Sequence, residues 1–333
     1  MTKLDWLLRV GKKFLFLVFI ALLLAALPYG WRPAAVDDRH GQNAQAPIGL
    51  MAGRIDGTYL QMANDIAELV EPQDIRVIPM VGRGSVQAVD DLLWHECVDL
   101  AMLQIDVLNL ANANAPELDL EASLRYVTSL YDEEMHVLAR RDIASIWELH
   151  GKAVNVGPSS SGTFLTSQFV FNDLGIDVDT RTMSNREALL ALERGEIAAM
   201  TQIVGQPALI YQTISPKDLH FLPIPADLVG VPYGTAELTN ESYPQLIDQP
   251  IETVTVLAVL ATFIDPERPD QQARVDRFVK AFLSNFSRLG ESDHHPKWRE
   301  VNPSIDIPGW RRLPSAEQTL AGSLHAGAIA HGR

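Results

Sequence analysis

The chain carries one cysteine, Cys97, in 333 residues, which excludes an intramolecular disulfide and leaves stability to the core. Cations are also scarce: 27 Lys and Arg stand against 42 Asp and Glu, for a formal net charge of −15. A phosphate-backbone partner demands a basic face, so nucleic acid is excluded as a partner. Catalytic signatures are missing too. There is no Gly-x-Ser-x-Gly elbow, no His-Glu-x-x-His, no Cys/His spacing fit for a metal and no Gly-Lys-Ser/Thr phosphate loop. No metal, no cofactor and no enzymatic turnover are therefore expected. Cys97, placed between Glu96 and Val98 before an apolar run, reads as a small buried side chain. His294-His295, in a polar stretch ahead of Lys297-Trp298, reads as a solvated loop.

Long hydrophobic runs are rare as well, and the one present lies at the start. Lys3, Arg9, Lys12 and Lys13 precede an unbroken apolar segment from Phe14 to Leu27. That length suits a signal-peptide core and falls short of the ~20 residues that span a bilayer. Pro28-Tyr29-Gly30-Trp31 adds length and an aromatic interface anchor, so residues 1–35 read as a signal peptide or a membrane anchor. The small-x-small triplet Ala44-Gln45-Ala46 lies far from the apolar core and is followed by Pro47, which tilts the choice towards an uncleaved anchor. No cysteine follows the run, which excludes a lipoprotein. Residues 36–47 have no periodicity and read as a polar spacer. The expected location is periplasmic, with an inner-membrane tether if the segment is retained.

What remains is rich in alternation. From Ile48 short apolar runs interleave with amphipathic stretches, the pattern of an α/β fold. Strands are predicted at 48–53, 75–80, 98–104, 124–131, 135–141, 153–157, 178–183, 197–204 and 252–263, with a helix from about Pro269 to Leu289. Two similar sets of β-α-β units imply two lobes joined by crossover strands near 135–141 and 252–258. Residues 48–138 and 256–333 make the first lobe and 139–255 the second. The stretch after Pro308, small and polar, is expected to wrap the surface or fray.

Three strand-to-helix turns carry the candidate chemistry: Gly53 to Tyr59, Gly82-Arg83-Gly84-Ser85, and Gly157 to Thr163 with its Ser159-Ser160-Ser161-Gly162 run. Open α/β sheets bind ligands at such turns, where free backbone N–H groups favour an anion and hydroxyls can donate. Each alone is equally an ordinary cap or tight turn; three together favour a shared site. Gln104 and Asp106 end the third strand and would face the same cleft, or serve as caps. Arg54 and Arg83 offer guanidinium groups for bidentate contact with a carboxylate, or point into solvent.

In order and spacing, these segments resemble the TAXI subgroup of TRAP-transporter solute receptors over roughly residues 48–315. The best segments are DGTYLQMANDIAELV (56–70), GRGSVQAVDDL (82–92), VDLAMLQIDV (98–107), VNVGPSSSGTFLTSQFVFNDLGID (154–177), IVGQPALI (203–210) and TVTVLAVLATF (253–263). The resemblance implies a two-lobed type II periplasmic-binding-protein fold that closes on a small carboxylate, glutamate-like or a related acid, and delivers it to a TRAP-type permease. It also implies ligand contacts from Thr58, Tyr59, Gly84, Ser85, Gln104, Asp106, Ser159, Ser161, Gly162 and Thr163, and from Gly205. Arg54, Ile55, Asp56 and Arg83 stand where the family usually has small residues, which leaves the ligand's identity open. A membrane-tethered sensor that presents the bound lobes to a signalling partner is the alternative.

Overall fold

Strand order within the sheet explains how one chain comes to have two similar halves. The computed structural model describes residues 46–330 except 213, 215–217 and 292, with side chains through 322. Residues 1–45, with the predicted signal or anchor and nearly all of the spacer, lie outside the described residues. Strands β1 (Ile48–Met51), β2 (Val77–Met80) and β3 (Leu100–Gln104) are parallel in the order β2-β1-β3. Strand β10 (Ile251–Phe263) lies antiparallel beside β3. The second half repeats the plan: β5 (Ala153–Asn155), β6 (Asp179–Arg181) and β7 (Ala199–Val204) run parallel in the order β6-β5-β7. Strand β4 (Leu124–Arg140) closes that half, antiparallel beside β7. Each half is thus completed by a strand whose other end belongs to its neighbour. This is a mixed α/β, two-lobed fold of the periplasmic-binding-protein kind.

The two crossovers pair with each other, Phe263 opposite Leu124 at one end and Thr255 opposite Glu134 at the other. β4 then continues along β7 from Glu134 to Ala139, while β10 pairs β9 (Gly234–Leu238) through Ile251 to Thr255. Two separate strands were expected over 124–131 and 135–141. Asp132-Glu133-Glu134 reads as an interruption, but Glu133 and Glu134 are buried and hydrogen-bonded, so the ladder runs through.

Helices form where apolar residues recur every three or four positions. In α1 (Thr58–Val70), Tyr59, Met62, Ala63, Ile66, Leu69 and Val70 are buried, and in α2 (Ser85–Trp94) Ala88, Val89 and Leu92. α3 (Ile105–Asn114) starts directly at the end of β3. In the second half α4 (Gly162–Asp173) is capped by the Ser161 hydroxyl, which accepts from the Phe164 N–H at 3.2 Å. α5 (Asn185–Glu193) starts with a capping box between Ser184 and Glu187. Burial is continuous: Leu50, Met62 and Ile66 meet Phe278, Phe282 and Trp298 on one side of the first half. A second cluster, with Leu92, Leu103, Val137, Val154 and Phe171, joins both halves.

Two further expectations fail. Cys97 is exposed: it sits in the turn before β3, where its carbonyl approaches Gly49 and its side chain faces outward, while Val98 turns into the core. The stretch after Pro308, expected to wrap the surface or fray, lies along the surface in its described residues. It forms α7 (Pro314–Ala330), which packs on α6 (Pro269–Ser284) with Ala316 buried and Leu320 half-buried. The segment 294–298 is an anchor rather than a solvated loop, since Lys297 and Trp298 are 1% and 2% exposed. Trp298 Nε1 and the His295 N–H both donate to Asp65 Oδ2, at 2.8 and 2.9 Å.

Candidate functional site

The C-terminal ends of parallel strands converge where the halves meet, and a polar cavity lies there. Its walls come from Gly53–Tyr59 after β1, Gly84-Ser85 after β2, Gln104 at the end of β3 and Glu133 on β4. The second half supplies Gly157-Pro158 and Ser161–Thr163 after β5, Asn185 after β6, and Gln202–Val204 on β7. α1, α2 and α4 all begin at this cavity. Neither Gly57 nor Gly84 caps its helix with a side chain, so first-turn N–H groups there, apart from that of Gln87, keep donor capacity and positive potential.

The halves are tightly closed. Gln87 N–H donates to the Ser160 carbonyl (3.3 Å), Thr58 Oγ1 to the Gly205 carbonyl (3.3 Å), and Asn185 Nδ2 to Asp56 Oδ2 (2.9 Å). Glycine is required at these contacts. A Cβ on Gly84, whose φ is +129°, would lie 2.7 Å from Ser161 Cα, and one on Gly162 would lie 1.4 Å from Gln104 Oε1. The cavity is only about 60 Å³. That admits about two waters, against the ~300–1,000 Å³ of ordinary small-ligand sites. A ligand of several heavy atoms therefore requires the halves to part for entry and the lining side chains to move aside when they close on it.

Among the residues singled out from sequence, Arg54, Thr58, Tyr59, Gly84, Ser85, Gln104, Ser161, Gly162 and Thr163 line the cavity. Several of their polar groups are already engaged. Ser161 Oγ caps α4 and donates to the Pro158 carbonyl at 2.6 Å, so its proton is committed. Thr163 Oγ1 accepts from the Ile203 N–H at 3.1 Å, which leaves its own proton free to turn. Arg54 forms a bidentate pair with Asp56, at 3.0 and 3.1 Å, and its charge is thereby balanced within the chain.

Asp106, Ser159, Gly205 and Arg83 are placed elsewhere. Asp106 is buried outside the cavity, where Oδ2 accepts from Thr166 (2.6 Å) and Tyr233 (2.9 Å) and so ties α3 to the second half. Burial pushes its carboxyl up, and those hydrogen bonds pull it partly back. Ser159 is exposed at the loop tip. Gly205 contributes its carbonyl to Thr58 and packs on Tyr131 and Lys297, where a Cβ would lie 2.7 and 3.2 Å away. Arg83 is exposed, and its backbone N–H and Nε bond Gln87 Oε1.

The most informative wall residue was not legible from sequence. Glu133 is 5% exposed, with Oε2 accepting from Tyr59 Oη at 2.6 Å and Oε1 from Tyr131 Oη at 3.3 Å. Burial raises its carboxyl to about 8 against the opposing pull of Tyr59, Gln104 and Tyr131, with Glu134 adding to the rise. Among the described residues no Lys, Arg or His pairs with it; Lys297 is held by Glu134 and Glu300. Gln202, Asn185 and Asp56 were missed as well. Gln104 Oε1 and Gln202 Oε1 are buried acceptors without a partner among the described residues. They require a donor from whatever fills the cavity.

Among the described residues no helix is long and apolar enough to cross a membrane, and no cluster of His, Cys, Asp and Glu could hold a metal. A solved structure shares the fold. A protein of Bordetella bronchiseptica RB50 matches with TM-score 0.52 and 12% identity, over 84% of this chain and 89% of its own. The putative periplasmic sulfonate-binding protein SsuA of Methylobacillus flagellatus KT gives TM-score 0.48 at 11% identity, covering 87% and 88%. The alkanesulfonate-binding protein SsuA of Xanthomonas axonopodis pv. citri, bound to MOPS, gives 0.45 at 13%, covering 86% and 92%. With residues 50–329 matched by that family's model, the chain belongs to the NMT1-like family.

Proposed function

We propose that this chain is an extracytoplasmic solute receptor that binds a small carboxylate by closing its lobes and hands it to a membrane permease of the TRAP type. The observation that carries this reading is the convergence of three helix starts, from both halves, on one closed polar cavity. Their N–H groups suit an anion, each worth ~0.3–1 kcal/mol when exposed and more when partly buried. The two unpartnered glutamine oxygens call for a hydroxyl or amine on the same ligand, as a glutamate-like or related acid carries. The names of similar folds, sulfonate-binding proteins among them, support a small-solute receptor rather than an enzyme.

In this reading lobe 1 is 48–138 with 256–333 and lobe 2 is 139–255, and the hinge lies where β4 and β10 change partners. The ligand favours the closed form through its greater affinity for it. The N-terminal segment leads the receptor across the inner membrane, where it stays as a tether if retained. Isothermal titration against dicarboxylates, amino acids, aromatic acids and a cationic solute tests the reading. A small acid should bind with saturable heat; binding of only the cationic solute would refute it.

A further inference from the structure

The cavity wall holds one carboxyl group that no cation accompanies. Arg54 is matched by Asp56 and Lys297 by Glu134 and Glu300, while Asp106 lies outside the cavity among hydroxyl donors. Glu133 alone faces the ligand space without a cation. The groups packed against it are Tyr59 from α1, Gln104 from β3, and Tyr131 and Glu134 from β4 itself. None is positive, and Glu134 is a second carboxylate one residue away.

With Glu133 ionised, an acid entering this cavity would meet a second carboxylate at close range in a medium of low dielectric. Like charges at close range in such a medium repel far more strongly than in water. Protonating Glu133 removes that repulsion and also turns an acceptor into a donor. The wall then offers an anion one more donor and one negative charge fewer. We propose that Glu133 makes the cavity a co-binding site for an anion and a proton: the ligand is a carboxylate whose donor group is uncharged, of the 2-hydroxy acid class, and it enters with Glu133 protonated. This rests on the carboxylate reading above and names the charge type that the site accepts.

The proton balance is explicit. In the empty cavity Glu133 holds its proton up to about pH 8. Above that the free receptor has lost the proton and binding must take one up from solvent; below it no proton moves.

The test uses 2-hydroxyglutarate and L-glutamate, which differ by a hydroxyl against an ammonium group. Calorimetry on the full chain would run from about pH 6 to about pH 9.5, each point in two buffers of different ionisation heat. Affinity for 2-hydroxyglutarate should be flat up to about pH 8 and then fall by up to about tenfold per unit, with close to one proton taken up. Glu133→Gln, which mimics the protonated group, should bind with no such fall. The buffer-dependent heats of the wild type read the same proton if that variant fails to fold. A flat profile with no buffer-dependent heat, where 2-hydroxyglutarate binds, overturns the proposal and leaves the carboxylate reading intact. So does binding of L-glutamate alone with affinity that rises through about pH 8, since Glu133 would then be an ammonium's counter-charge. If neither acid binds at any pH, the carboxylate reading fails and the proposal with it.

Discussion

Gly84→Ala tests whether the closed contact is the ligand-bound one. Gly84 combines φ of +129° with ψ of −175°, a region that glycine alone occupies readily. A side chain there costs of the order of 1–3 kcal/mol in strain. The added methyl would also lie 2.7 Å from Ser161 Cα, 3.0 Å from Ser161 Cβ and 3.3 Å from the Ser160 carbonyl oxygen, all on the opposite half. Carbon atoms rest at about 3.5–4.0 Å, so the loops must part by about 1 Å. The Gln87-to-Ser160 hydrogen bond, already 3.3 Å long, would then be lost, at about 1 kcal/mol. The strain is felt with the lobes open or closed, but the clash only when they close. Unfolding should therefore report the strain, and calorimetric affinity for the bound acid should fall by a further factor of about ten or more. Gly309→Ala is the control: its φ is +82° with nothing within 4 Å, so it should lose about 1–2 kcal/mol of stability and no affinity. Wild-type affinity in the Gly84 variant would refute the assignment of this closed arrangement to the bound receptor.

Two further outcomes follow from the buried charges. Lys297→Met leaves Glu134 buried without its ammonium and should cost about 3–5 kcal/mol in urea unfolding, with part recovered when Glu134→Gln is added; a loss under about 1 kcal/mol would show that the pair is replaceable. His136 is fully buried, hydrogen-bonded to Tyr243 Oη at 2.7 Å and stacked on Tyr211, and burial drives its imidazole down to about 3. The unfolded chain takes up that proton near pH 6.5, the folded chain only near 3, so the stability it contributes is complete above about 6.5 and declines below it by up to about 1.4 kcal/mol per unit. Urea midpoints between about pH 4 and 7 should show that decline, and His136→Phe should make it shallower; an unchanged slope in the variant would assign the acid limb to other groups.

How much of this was legible in the sequence depends on how far each contact reaches along the chain. The α/β alternation and the glycine turns are local, and Gly84, Ser161 and Gly162 could be singled out without knowing their neighbours. Pairing across the sheet is not local. β4 reads as two strands because Asp132-Glu133-Glu134 resembles a turn, and most of the partners that make those carboxylates tolerable inside, Tyr59, Gln104, Gln206 and Lys297, are distant in sequence. The engagement of Arg54 by Asp56 was equally hidden, since two residues of opposite charge in a loop can as easily face water. Cys97 was misplaced because an apolar run begins at Val98, and one residue's turn separates core from solvent.

Adjacent carboxylates on one strand show how structure and function divide. Successive side chains of β4 point to opposite faces, so Glu133 shares its face with Tyr131 and Glu134 lies on the other. Glu134 accepts from Lys297 and from the Gln206 N–H at 2.9 Å, and Lys297 packs its stem on Gly205. Burial pulls the Lys297 ammonium down, but Glu134 and Glu300 outweigh it and hold it above the usual lysine range. That carboxylate is fully provided for, and its partners tie β4 to the C-terminal part of the chain and to the loop after β7. Glu133 receives only two phenols and an amide, all neutral, and the rest of its surroundings is ligand space. A core in which every buried charge served stability would have given it a cation too. Its lack of one beside a neighbour so completely paired is what the proposed co-binding of a proton with the ligand would account for.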